Sequence, residues 1–153
     1  MTLFPNISVG RRIYLSVLSV FVVFAAAFIV FQQNREKQYK IDSLNIRLQD
    51  YNTRMEESMQ NMKTIDEHTL DDYVREHAMP ELRVTLIDRH GRVFYDSRLK
   101  DYSNLPNHLS RPEVKAAVTT GQGSTVERNS TTLNDYFFYS ATRFNPSGLI
   151  IRS

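Results

Sequence analysis

Residues 13–31, from Ile13 to Phe31, form one apolar run without a charged side chain. As an α-helix the run rises to about 28 Å, which matches a hydrocarbon core of about 30 Å. The pattern predicts a transmembrane helix over 13–31, preceded by a short segment, 1–12. No Pro or Gly interrupts residues 32–65, and apolar side chains recur there with heptad spacing. One series is Ile41, Leu48, Met55, Met62; the other is Leu44, Tyr51, Ser58, Ile65. The helix is therefore expected to continue past the apolar run to residue 65, projecting it roughly 50 Å. An apolar stripe on such a helix needs burial. It can pair with its copy in a parallel homodimer, the favoured reading, or pack against other helices or the chain's own globular unit. The predicted helix-packing interface is Ile41, Leu44, Leu48, Tyr51, Met55 and Met62. Lys40, Arg47 and Arg54 on one flank face Asn45, Asn52 and Met59 rather than acids. Flanking ion pairs of the kind that specify a coiled coil are thus missing.

A second, shorter helix is predicted over 70–79, with Thr69 as N-cap, Asp71 and Asp72 in the first turn, and Pro80 ending it. At Leu82 the period changes to two. Leu82, Val84 and Leu86 alternate with Arg83, Thr85 and Ile87, which predicts a strand. Asp88-Arg89-His90-Gly91 reads as a turn, 92–95 as the returning strand, and Asp96-Ser97 as its stop. Residues 98–111 read as a loop. Pro112 suits a first helical position and Gly121 a C-terminal cap. Strands are expected over 124–130 and 135–144, joined by 131–134, and a last edge strand begins at 149. The fold class is α+β: a transmembrane helix continuing into a long helix, then an antiparallel sheet with one crossing helix. A chain stopping in mid-strand at Ser153 suggests a longer parent protein.

A cleaved signal peptide is the competing reading of the N-terminus, with Arg11-Arg12 as its basic region and Ala25-Ala26-Ala27 as its cleavage site. The run exceeds the usual signal core of about 7–15 residues, and cleavage after Ala27 would leave Phe28-Ile29-Val30-Phe31 as an apolar terminus. An uncleaved anchor is expected. Arg11 and Arg12 favour a cytoplasmic N-terminus, although Arg35, Lys37 and Lys40 follow the span. The organisation expected is 1–12 cytoplasmic, 13–31 in the membrane, 32–79 an extracytoplasmic helical region and 80–153 the sheet module.

The 153 residues, 41% hydrophobic, leave roughly half the chain for one small folded unit. A net charge of +2 and no basic stripe with interleaved aromatics argue against nucleic acid as a partner. With no cysteine there is no disulfide framework, thiolate nucleophile or Cys-based metal site. His68 with Asp72, or Glu76 with His77, reads as a solvated helical face rather than a metal site. No nucleophile elbow or phosphate-binding Gly-rich loop occurs, and Gly121-Gln122-Gly123 reads as a helix stop. No catalytic residue and no metal ligand is predicted. Asn129-Ser130-Thr131 is formally a glycosylation sequon.

Phe137, Tyr139, Ala141 and Arg143 share one face of their predicted strand, and Arg128 and Ser130 share a face of its neighbour. Arg128, Ser130, Tyr139 and Arg143 form a candidate ligand site, since a guanidinium fork with hydroxyl donors suits a carboxylate or phosphate. The competing reading makes the aromatics core and the arginines surface or ion-pair partners.

The stretch Leu86-Ile87-Asp88-Arg89-His90-Gly91-Arg92-Val93-Phe94-Tyr95-Asp96-Ser97 resembles the first hairpin of extracytoplasmic PAS-like sensor domains. The segment from His108 to Glu113, with Arg111-Pro112-Glu113, is similar to that before the crossing helix in the phosphate-regulon class of sensor histidine kinases. Arg128, Ser130, Thr132-Leu133 and Tyr139-Ser140-Ala141 follow in the same order. The resemblance covers about residues 82–153, together with the anchor-and-helix layout. The run Tyr136-Phe137-Phe138-Tyr139 is a heavier aromatic stretch than that class shows. A second span, a phosphorylated-His helix and ATP-binding motifs are missing from these residues. The resemblance implies the sensory input portion of a two-component kinase in a bacterial plasma membrane. It implies a response regulator reached through a kinase core; the expected homodimer rests on the apolar stripe, and the expected small anionic or peptide ligand on the arginine, tyrosine and serine set. ATP and Mg would belong to that core, and no cofactor is expected here. A membrane-anchored coiled-coil scaffold is the alternative; a pilin is disfavoured because Arg11-Arg12 follows Gly10.

Overall fold

The computed structural model describes residues 8–102, 104–128, 136–145 and 147–153, with the side chains of Arg128 and Tyr136 outside the description. The 131–134 connection, the sequon and Ser130 lie outside the described residues. Two compact units divide the chain, Met1–Asp42 and Ser43–Ser153. Helix α1 (Val9–Asn61) contributes to both.

In the first unit the apolar side chains of α1 are exposed, with Phe21 and Phe24 both at 69%. The helix is long and apolar enough to cross a membrane. The hydroxyls of Ser16 and Ser19 donate back to the carbonyls of Arg12 and Ser16, at 3.0 and 2.8 Å. Such internal pairing is what polar groups require inside hydrocarbon.

In the second unit α1 stops at Asn61, short of the expected residue 65. Helix α2 (Glu67–Glu76) starts earlier than expected because Asp66, not Thr69, is its N-cap. The Asp66 carboxylate accepts from Thr69 N at 2.9 Å, and the Thr69 hydroxyl accepts from Asp66 N at 3.1 Å. This reciprocal box satisfies two donors that a helix start otherwise leaves open. The helix ends before the expected Met79, with His77 N–H donating to Tyr73 O.

The sheet is antiparallel throughout, with strand order β2-β1-β5-β4-β3. Its strands are β1 (Thr85–Ile87), β2 (Val93–Asp96), β3 (Gln122–Arg128), β4 (Tyr136–Arg143) and β5 (Ile150–Arg152). Strand β5, expected at an edge, lies between β1 and β4. Burial on both faces explains why Leu149-Ile150-Ile151 lacks a polar alternation. The loop before α3 (Pro112–Thr120) contains a 3-10 turn, His108–Ser110.

Both faces of the sheet are covered. On one, Tyr51, Met55 and Met59 of α1 and Leu70 and Tyr73 of α2 pack with Val84, Leu86, Tyr95 and Ile151. On the other, Val114 and Ala117 of α3 pack with Ile87, Ala141 and Ile150. Gly123 lets α3 approach: a Cβ there would lie 2.2 Å from Glu113 O. Gly121 ends α3 with φ of 89°, the left-handed cap predicted for it.

Candidate functional site

The contact of α1 with the sheet is the first element of the site. Leu48, Tyr51, Asn52, Met55 and Met59 are all buried. Within the predicted interface, Leu48, Tyr51 and Met55 are thus covered inside the chain, Met62 packs against the same cluster, and Leu44 stays 40% exposed. Ile41, in the first unit, is half-buried. Asn52 and Met59, read as flanking positions, are core instead. They lie four and eleven residues after Leu48, on the helix face that the sheet covers. Polar bonds fix the contact. Asn52 Nδ2 donates to Thr142 Oγ1 at 3.2 Å and to Ile151 O at 3.1 Å, and Ser140 Oγ donates to Asn45 Oδ1 at 3.0 Å.

On the opposite face a buried ion pair joins α3 to β5. Arg152 Nε donates to Glu113 Oε1 at 2.5 Å, with side chains 8% and 1% exposed. The Arg152 guanidinium lies over the Tyr139 ring, 3.9 Å from its centroid, a cation–π arrangement. His108 is buried nearby, with Nδ1 2.7 Å from Pro106 O. Burial holds its imidazole below the ordinary 6.5, and the charges of Arg111, Arg152 and Arg83 act in the same direction, while the Pro106 contact opposes them. Asp96 gathers a third group. It accepts from Arg83 through Nε and Nη2, from Thr85 Oγ1, and from the backbone of Arg98 and Leu99. Burial alone would raise its carboxyl, but the Arg83 and Arg98 bonds hold it below the usual range.

The β1–β2 turn is braced by Asp88, whose carboxylate accepts from the backbone of His90 and Arg92 at 2.8 and 3.0 Å. Gly91, with φ of 83°, admits Asn107 so closely that a Cβ would lie 2.2 Å from Asn107 Oδ1. The loop before α3 is thereby tied to the turn, with His108 N donating to Gly91 O. A depression of about 570 Å³ opens there, lined by Asp88, Arg89, His90, Arg92 and Phe94 among others.

The four predicted ligand residues are not gathered. Tyr139 lies under Arg152, while Arg143 Nη1 donates to Val118 O at the end of α3. Arg128 is opposite Tyr136 at the far end of the β3–β4 hairpin, roughly 23 Å along β4 from Arg143. Ser130 is outside the described residues. Sequence reasoning missed Glu113, Arg152, His108 and Asn52. The available signal was a charge or amide set among apolar neighbours: Arg152 after Ile150-Ile151, and Asn52 within the α1 stripe. Among the described residues no group of three or more His, Cys, Asp or Glu is placed to hold a metal ion. No family model matches the chain, and no curated protein matches it.

Proposed function

We propose that the chain is the signal-input portion of a membrane-bound two-component sensor histidine kinase, with a PAS-like extracytoplasmic module. One observation carries the reading: the helix that holds the apolar run also supplies Tyr51, Met55 and Met59 to the core under the sheet. A stimulus that shifts the sheet against α1 would move a helix leading directly to the membrane, and two discrete helix positions suffice for a signal. The PAS-like identity rests on the Asp88–Gly91 hairpin and the α3 crossing, membrane attachment on the length of the apolar run, and the bacterial plasma membrane on the family resemblance alone. A small anionic or peptide ligand would meet Arg89 and Arg92 in the depression at the β1–β2 turn. In this reading the protein is a homodimer through Leu44 and the span, and the response regulator, ATP and Mg meet a kinase core beyond these residues. Thiol labelling tests the reading, because the chain has no cysteine of its own. Ser43→Cys in intact cells is expected to react with a membrane-impermeant maleimide; protection until lysis overturns the orientation. The reading frame past Ser153 is expected to encode a second apolar span and a His-bearing helix. A stop codon there would favour an anchored scaffold.

A further inference from the structure

Residues 104–110 lead into α3, and His108, 6% exposed, is the only one of them that is buried. Leu109 adds a half-buried apolar contact to the α3 cluster. Polar bonds to the β1–β2 turn do the rest. His108 N donates to Gly91 O at 2.9 Å, and Asn107 Nδ2 donates to His90 O at 2.6 Å. Asn107 Oδ1 accepts from Leu109 N at 2.9 Å, which folds this segment into the space that Gly91 leaves by lacking a side chain.

The buried member of this segment is a base. Pro106 O, 2.7 Å from His108 Nδ1, can only accept, so Nδ1 carries the ring proton and Nε2 is the nitrogen that takes up another. The charges that act on the ring are cationic: Arg111 at the start of α3, Arg152 of β5 and Arg83 ahead of β1. Their acids are already engaged. Glu113 of α3 accepts from Arg152, and Asp96 of β2 accepts from Arg83, Thr85, Arg98 and Leu99. Three guanidinium charges against two carboxylates leave a cationic setting. A second proton on a buried ring there has no counter-charge to meet, whereas water would solvate it.

We infer that residues 104–110 form an acid-operated clasp: a proton taken up at His108 Nε2 draws the ring into water and releases the segment from the β1–β2 turn. Release reaches the sheet through α3, which begins at Pro112. Glu113 is bound to Arg152 of β5, and Ile151 O of β5 accepts from Asn52 of α1. The clasp rests on the proposed relay for its output, and it supplies that relay with a stimulus, acidification of its surroundings.

The full chain, isotope-labelled and in detergent micelles, is titrated by NMR from about pH 8 to about pH 5. Cross-relaxation between the Asn107 side-chain amide and the Gly91 α-protons reports the closed clasp. It is expected to fall about tenfold by one pH unit below the His108 imidazole's own midpoint. The Arg152 Nε–H resonance should move with the same midpoint, while the amides of Leu86 and Ile87 keep their folded shifts. His108→Gln should abolish the response, and His90→Gln, which alters an exposed ring on the same turn, should preserve it. An Asn107–Gly91 contact that persists after His108 has titrated overturns the clasp. So does a response that survives His108→Gln, or one that appears only as Leu86 and Ile87 lose their folded shifts. Should His108→Gln fail to fold, coincidence of the imidazole and contact midpoints in the unmodified chain is the deciding result, and separate midpoints contradict the inference. A failed clasp leaves the membrane-anchored input reading in place, because Ser43→Cys labelling decides that reading.

Discussion

Replacing Met55 by Ala asks whether the α1 stripe is buried by its own sheet or by a partner chain. Met55 is fully buried among Tyr51, Met59, Leu70 and the β1 and β5 side chains. Large-to-small changes of this kind cost about 2–5 kcal/mol, the spread reflecting how far the surroundings collapse into the gap. Met59 and partly buried Met62 border the site and can relax, so about 3 kcal/mol is expected. For a unit of this size 1 kcal/mol moves the midpoint by about 4–8 °C, giving a fall of at least 10 °C, roughly. Ile46→Ala is the control: Ile46 is 67% exposed, and its truncation should stay within about 0.5 kcal/mol. Thermal unfolding of the full chain in detergent micelles, followed by circular dichroism at two widely separated protein concentrations, reads both variants. An intramolecular contact predicts a Met55→Ala loss independent of concentration. A loss that grows on dilution would show that a second chain covers the stripe. Equal, small effects of the two variants would refute the packing itself.

Three other consequences follow from the α3 side of the sheet. Arg152→Met alone is expected to cost about 3–5 kcal/mol, because it leaves Glu113 buried without its partner. Glu113→Leu with Arg152→Met should recover most of that loss in urea unfolding, whereas additive losses would contradict the pairing. His108 binds its proton less readily in the folded chain than the ordinary 6.5, so the unfolded chain takes up the proton first as pH falls. Its contribution is complete above about 6.5 and is lost between that value and the lowered folded one; His108→Gln should flatten this slope, and an unchanged slope would assign it elsewhere. Gly121→Ala should cost about 1–2 kcal/mol, since the space around Gly121 is open and only the left-handed backbone resists. Gly123→Ala should cost more, because its Cβ meets Glu113 O; equal losses in guanidinium unfolding would refute the close approach of α3.

Much of the order of elements was legible because local chemistry fixes it. Asp88 and Gly91 make a turn in any context, Pro112 and Gly121 bracket a short helix, and the apolar run needs no tertiary partner to be read. The place of β5 was not legible. Three residues, Ile150–Arg152, carry no sign of which strands they join, and only pairing with Thr85–Ile87 and Ala141–Arg143 sets them in the centre. The stripe on α1 was legible as a stripe but not as to its partner. Periods of 3.5 and 3.6 differ by about 20° per heptad, too little over these few turns to separate a coiled coil from a helix on a sheet. The buried pair of Glu113 and Arg152 joins residues 39 positions apart, and nothing in either neighbourhood encodes the other. Tyr139 was singled out for a polar ligand, and it lies beneath a guanidinium belonging to its own chain.

Hydrogen exchange of the full chain in vesicles decides whether α1 and the sheet form one cooperative body. Amides of α1 from Leu48 to Met59 should exchange with the same free energy as those of β1 and β5. Gly123→Ala, which weakens the sheet from the far side, should lower all of them together. If the α1 amides keep their protection while those of β1 and β5 lose theirs, the helix stands independently of the sheet, and displacement of the sheet has no route to the membrane.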